Sequence, residues 1–280
     1  MSFEPVLPRR LPRDLAGWLR YFQLAEIPVL ARTAQALEEL RAIEDDVDGR
    51  MLGAVITADP LMTLKVLAHI ASHHRSRRTT DIETVRQAVV LLGITPFFST
   101  FGPQPTVEDH LADQPEALDG LMQVVDRSDR AARFALGFAI HRMDTDAEVI
   151  QEAAQLHDFA EMLLWLHAPS VALAMRARQR QDPTLRSASV QRDTMGLTLG
   201  ELQQALMRAW RLPELLMHIT DDRHEEASQV RNVMLAIRLA RHTAQGWDNP
   251  AVPDDVRDIA RLLTMGVEPT EALLREIDQP

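Results

Sequence analysis

The stretch TTDIETVRQAVVLLG, residues 79–93, carries a helix start, an apolar stripe and a stop. Thr80 and Glu83 stand in the S/T-x-x-E relation of a capping box, where hydroxyl and carboxylate satisfy backbone N–H groups of the first turn. Ile82, Val85, Val89 and Leu92 then recur at helical spacing, which gives the segment one apolar face. Gly93 follows, the residue type that most easily closes a helix in the left-handed conformation.

The rest of the chain repeats this grammar. Val29, Leu30, Leu37 and Leu40 mark a second apolar face. Thr145 with Glu148, and Thr198 with Glu201, are two more capping boxes. Pro60, Pro213, Pro253 and Pro269 stand where helices can begin, since the first turn has no use for the missing N–H. No sustained apolar–polar alternation is bounded by turn pairs, and aromatic residues are only 5% of the chain, which leans away from a β-rich core. The expectation is an all-α protein of many helices. Glu116 to Ala168 is the longest proline-free span and predicts two helices, broken near residues 143–146. Residues 95–115, with Pro96, Gly102, Pro103, Pro105 and Pro115, read as a linker between an N-terminal and a C-terminal helical bundle. This predicts an extension at 1–19, a core at 20–222 with sub-bundles at 20–101 and 115–222, and C-terminal helices at 223–280 packed on that core.

Totals exclude several classes of function. The 280 residues are 46% apolar, enough for a sizeable core. No window reaches the ~20 consecutive apolar residues of a membrane helix, and the N-terminus lacks a signal-peptide core. A soluble, cytoplasmic protein is expected. The absence of cysteine removes disulfides, thiolate metal sites and cysteine nucleophiles. A net charge of −11 argues against nucleic acid as a partner. The one dense basic run, residues 73–78, offers Arg75, Arg77 and Arg78 either as a phosphate or nucleotide contact or as a solvated loop, and the acidic balance favours the loop. Lys65 is the single lysine among 30 Lys and Arg residues, which reads as coding bias.

Catalytic motifs are scarce. There is no G-x-S-x-G elbow and no glycine-rich phosphate loop. The segment QLHDFAEMLLW, residues 155–165, places a His-Asp doublet in apolar surroundings. His157 and Asp158 could share a metal only with donors from other helices, because neighbouring helical residues diverge by about 100°. Glu161 lies three and four residues on, within local reach. The alternative is a core or cap histidine with a hydrogen-bonded partner, and an aspartate bonded to backbone at a helix bend.

The order of segments resembles the HDOD family, the HD-related output domain of bacterial signalling proteins. IPVLARTAQALEEL (27–40) is similar to its opening helix, and ITADPLMTLKVLAHIASHH (56–74) to its D-P-x-L segment, without the family's Asn and Tyr. TTDIETVRQAVVLLGI (79–94) resembles its I-x-x-A-I-x-x-L-G helix. LHDFAEMLL (156–164) and GLTLGELQQALMRAWRLPELL (196–216) resemble the HD-like half that ends in W-x-L-P. The likeness runs from about residue 20 to 245.

HD phosphohydrolases, the wider superfamily, hold metal through an early His, the doublet, later histidines and a distal Asp. Carried over by position, the early His falls at Arg127, the doublet is kept as His157 and Asp158, one later His falls at Leu199, and the distal Asp falls at Ile237. Of the histidines after the proline, near Asp222 to His224, only His224 remains. The glycine that commonly follows the doublet is replaced by Phe159-Ala160. The resemblance therefore implies a vestigial pocket of His157, Asp158, Arg127, Leu199 and Ile237, with no catalytic residue, metal or cofactor, and it allows an Arg127–Asp158 pair. It implies a regulatory protein acting by protein–protein contact with an unidentified signalling partner, through exposed helical faces and the 95–115 loop. Two alternatives stay open: a metal-dependent phosphohydrolase with a reduced ligand set, and a sensor in a cyclic-dinucleotide pathway that binds through Arg75, Arg77 and Arg78 without hydrolysis.

Overall fold

The computed structural model describes residues 11–73, 82–182 and 184–279, the side chain of His73 apart. Thr80, Arg75, Arg77 and Arg78 lie outside the described residues. Within them the regular structure is helical: α1 (Leu15–Leu24), α2 (Ala31–Ala42), α3 (Gly49–Thr57), α4 (Pro60–His73), α5 (Val85–Leu92), α6 (Ile94–Thr100), α7 (Val107–His110), α8 (Pro115–Arg142) and α9 (Ala147–Leu156). The order continues with α10 (Phe159–His167), α11 (Pro169–Gln181), α12 (Ser187–Met195), α13 (Leu199–Trp210), α14 (Glu214–Ile219), α15 (Ser228–His242), α16 (Val252–Leu263) and α17 (Val267–Ile277). The extended pairing among the described residues is one isolated parallel bridge, Val29 with Thr106. No single helix among them is long and apolar enough to cross a membrane.

The caps decide where several helices begin and end. Gly93 closes α5, its N–H donating to Val89 O at 2.9 Å, but at φ +81° and ψ 160° it takes a positive-φ extended conformation rather than the left-handed helical one. Thr198 and Glu201 form the expected capping box of α13, with the Thr198 N–H donating to Glu201 Oε2 at 2.7 Å and the Glu201 N–H to Thr198 Oγ1 at 3.2 Å. The box expected at Thr145 does not form: α9 starts at Ala147 behind Asp146, without a side-chain cap. The Asp146 carboxylate instead accepts from Gln229 Nε2 at 2.7 Å, a partner far along the chain that no local pattern announces.

The segment 95–115 is not the expected linker. It holds α6 and α7, and Val107 and Leu111 are fully buried. Phe97 and Phe98 anchor α6 in the core, and the Val29 N–H donates to Pro105 O at 2.9 Å while the Val107 N–H donates to Val29 O at 2.8 Å. Pro96 sits in the first turn of α6, where proline is tolerated. The span 116–168 contains three helices rather than two, because the chain breaks at the His-Asp doublet as well as at 143–146.

The chain divides into two compact units that are interleaved in sequence. The first holds residues 11–73, Val85–Val124 and Asp158–Leu212; the second holds 82–84, Val125–His157 and 213–279. These units do not coincide with the expected bundles at 20–101, 115–222 and 223–280, since α8 runs through the 124/125 boundary and the C-terminal helices cluster with 125–157.

In the first unit α1 packs on α13, and α3 packs on α2, α4 and α5. Trp18 stacks on Phe22 with ring centroids 5.6 Å apart, and both are buried. Gly120 of α8 faces the Trp165 ring so closely that an added Cβ would lie 2.7 Å from it. Trp165 is buried and carries the Arg176 guanidinium 4.8 Å over its face. Alanine normally improves a helix over glycine by about 1 kcal/mol. Here overpacking outweighs that gain, and Gly120→Ala is expected to destabilise by about 1–2 kcal/mol in urea unfolding.

In the second unit α15 packs on α9 and α16, and α14 on α9. Arg130 ties its C-terminal end: Nε and Nη2 donate to the Asp278 carboxylate at 2.9 and 2.7 Å, and Nη1 donates to Thr243 O at 3.0 Å. Trp247 Nε1 donates to the same carboxylate at 3.0 Å. A planar guanidinium supplies this fork in fixed geometry, which a lysine would not.

Candidate functional site

The doublet lies at the break between α9 and α10. α9 buries Val149, Ile150, Ala153, Ala154 and Leu156, so its end is held against the core of the second unit. His157 still has helical φ/ψ, and Asp158 departs to φ −108°, ψ 18°. Asp158 serves α10 through its backbone: its carbonyl accepts the Glu161 and Met162 N–H groups at 3.0 and 3.2 Å, while its carboxylate makes no cap bond.

His157 Nε2 meets Asp222 Oδ1 at 3.0 Å, and the imidazole is 13% exposed against 55% for the aspartate. Asp222 opens a 3-10 turn, Asp222–His224, that follows α14. Its neighbour Asp221 is mostly buried and grips Arg223, with Nη2 at 2.6 Å and Nε at 2.9 Å. That hydrogen-bonded guanidinium holds the Asp221 carboxyl below the usual carboxylate range, against the opposing pull of burial. His224 stands with its ring 4.7 Å from His218, its Nε2 3.9 Å from Asp221 and its Nδ1 3.6 Å from Glu226.

The predicted pocket residues are divided between the units: Arg127, His157 and Ile237 belong to the second, Asp158 and Leu199 to the first. Arg127 is half-buried on α8. Ile237 is buried on α15, 4% exposed. Leu199 is the first residue of α13, its N–H donating to Gln191 Oε1 at 3.0 Å. Sequence reasoning missed Asp222 as the partner of His157, because 65 residues separate them.

A hydrolytic zinc-type centre takes about three protein donors and an open position. Among the described residues no group of three or more His, Asp or Glu side chains converges to hold a metal ion. The side chains of Leu199 and Ile237 carry no donor atom, and Arg127 carries a positive charge. Among the described residues, the donors around His157 do not make up such a set. The Asp222 carboxylate can orient the His157 imidazole.

Residues 27–226 match the HDOD domain family. The chain belongs to the HDOD family. Solved structures agree on the fold of this HDOD chain. The MmoQ response regulator from Methylococcus capsulatus aligns with TM-score 0.65 at 20% identity, covering 89% of this chain and 98% of that one. A virulence factor from Campylobacter jejuni aligns with TM-score 0.65 at 16% identity, covering 94% and 98%. An HDOD domain protein from Geobacter sulfurreducens gives 0.50 at 16%, covering 95% and 97%. No curated protein sequence gave a significant match.

Proposed function

We propose that this HDOD chain is a non-catalytic regulatory protein of bacterial signal transduction that works in the cytoplasm by protein–protein contact. The observation that carries this reading is the loss of donors at Arg127, Leu199 and Ile237, together with the engagement of His157 by Asp222. A centre stripped to a doublet lacks the ligands for metal-assisted hydrolysis. The description of the similar Methylococcus protein as a response regulator supports a role in signalling. Contact surfaces would draw on exposed apolar side chains, such as Val90 and Leu91 of α5 in the first unit, and Ile140 of α8 and Met143 just beyond it in the second. Residues 95–115 are largely built into the first unit and serve this role less well than a free loop would.

The test is the metal content of protein purified without chelator, measured by elemental mass spectrometry on wild type and His157→Ala. Fe, Mn, Zn and Ni are expected far below one per chain in both. Near-stoichiometric metal that disappears in His157→Ala would overturn the reading and favour a phosphohydrolase with a reduced ligand set.

A further inference from the structure

The first unit contains an open cavity of about 850 Å³, the size of a nucleotide or drug-sized ligand site. One face of α4 lines it with Lys65, His69 and Ser72, which recur at helical spacing. Lys65 is half-buried, and its Nζ donates to Gln104 Oε1 at 2.5 Å. Gln104 is itself fixed, with Nε2 donating to Gly102 O at 2.7 Å. The His69 ring meets the edge of Phe101 with centroids 5.1 Å apart. The end of α13 adds a half-buried Trp210 and an exposed Arg211, which takes the left-handed conformation at φ +57°. Glu26, exposed, completes the wall as a carboxylate acceptor.

Lys65 is the one lysine in a chain that otherwise uses arginine throughout its 30 Lys and Arg positions. Its position in this cavity gives that choice a chemical reason beyond coding bias. A compact ammonium with three rotatable donors can grip one anionic group as a point charge. Desolvation by burial holds the Lys65 ammonium below its ordinary pKa, while the charges of Glu26 and Asp59 pull it back up.

We propose that this cavity binds a small organic anion carrying a flat ring with an N–H edge. Lys65 and Arg211 take the phosphate or carboxylate. The ring lies against Trp210, which offers an aromatic face and a partly apolar wall. Glu26 accepts from the ring N–H. This assigns the protein a small-molecule input that the reading of the His157 site does not require, and it stands whether or not that site holds metal.

Calorimetric titration of the full chain tests it with two anions, guanosine monophosphate and indole-3-acetate, and with guanosine and indole-3-acetamide as their uncharged counterparts. At least one anion is expected to bind one-to-one with Kd below about 1 mM, with its uncharged counterpart at least about tenfold weaker. The affinity ratio of each anion to its own uncharged counterpart compares the contribution of phosphate with that of carboxylate. Lys65→Met is expected to weaken binding about tenfold or more, and Trp210→Leu to weaken both anions together. Arg211→Ala, at an exposed position, weakens the anion without touching the core and serves if Lys65→Met lowers the melting temperature. Absence of binding by both anions, or affinities unchanged in both Lys65→Met and Arg211→Ala, would overturn the proposal.

Discussion

Asp59→Ala is expected to destabilise the first unit by about 3–5 kcal/mol in equilibrium urea unfolding. Asp59 is fully buried, at 0% exposure. Its Oδ2 accepts the Leu30 N–H at 2.8 Å, at the head of α2. Its Oδ1 accepts the Leu61 and Met62 N–H groups at 2.8 and 3.2 Å, in the first turn of α4. One side chain thus caps α4 and locks it to the start of α2. Alanine would leave three buried donors without this acceptor, and each such group costs about 1–3 kcal/mol. Part of that loss is offset, because burial raises the Asp59 pKa despite its hydrogen bonds, so the native carboxylate already carries a desolvation cost. Asp59→Asn keeps one acceptor oxygen and should recover part of the loss. Unfolding midpoints of the three proteins measure the ordering, and an Asp59→Ala protein as stable as wild type would contradict this account.

Acid should weaken the first unit through His167. This imidazole sits at the end of α10, with its ring centroid 5.2 Å from His110 and 6.4 Å from Phe22. Neither ring nitrogen has a partner at full hydrogen-bond geometry. Burial, and then the neighbouring His110, push its pKa down to about 4, with a weak contact to the Glu26 backbone acting the other way. A histidine whose folded pKa is depressed binds a proton more readily when unfolded. The stability it protects is full above the unfolded pKa of 6.5 and is lost as pH falls towards about 4. Across that window the loss amounts to about 3 kcal/mol. Asp59, whose folded pKa is raised, acts in the opposite sense: stability falls as pH rises from 3.8 through its folded value. The difference between wild type and His167→Leu isolates the histidine. Urea unfolding at neutral pH and near pH 4.5 should show wild type losing stability on acidification by about 2–3 kcal/mol more than His167→Leu. Parallel pH profiles would remove His167 as the cause.

Local chemistry explains what was legible from sequence. The apolar stripe through Val85 and Val89 and the stop at Gly93 needed only helical periodicity and the freedom of a residue without Cβ, and both appear as expected. The Thr198–Glu201 box is likewise made by residues three apart. Thr145–Glu148 has the same local form, yet α9 starts one residue later behind Asp146, whose carboxylate accepts from Gln229 across 83 residues. The segment 95–115, which sequence predicts as a linker, differs because of its long-range packing. Its prolines and glycine mark turns, but burial of Phe97, Val107 and Leu111 and the bridge to Val29 come from chain brought in from elsewhere.

The amino-acid sequence by itself determined the helical class, through period and caps, and the HDOD membership, through the order of its segments. It also set that Arg127, Leu199 and Ile237 offer no carboxylate or imidazole, since residue identity alone decides which donors a side chain carries. Tertiary structure decided what the remaining groups do. The pairing of His157 with Asp222, the seating of Asp59 on Leu30, and the gathering of Lys65, Gln104 and Trp210 around one cavity each join residues far apart in the chain. Long-range packing of helices creates those contacts, and periodicity, which reports only which face of each helix is buried, does not specify which faces meet.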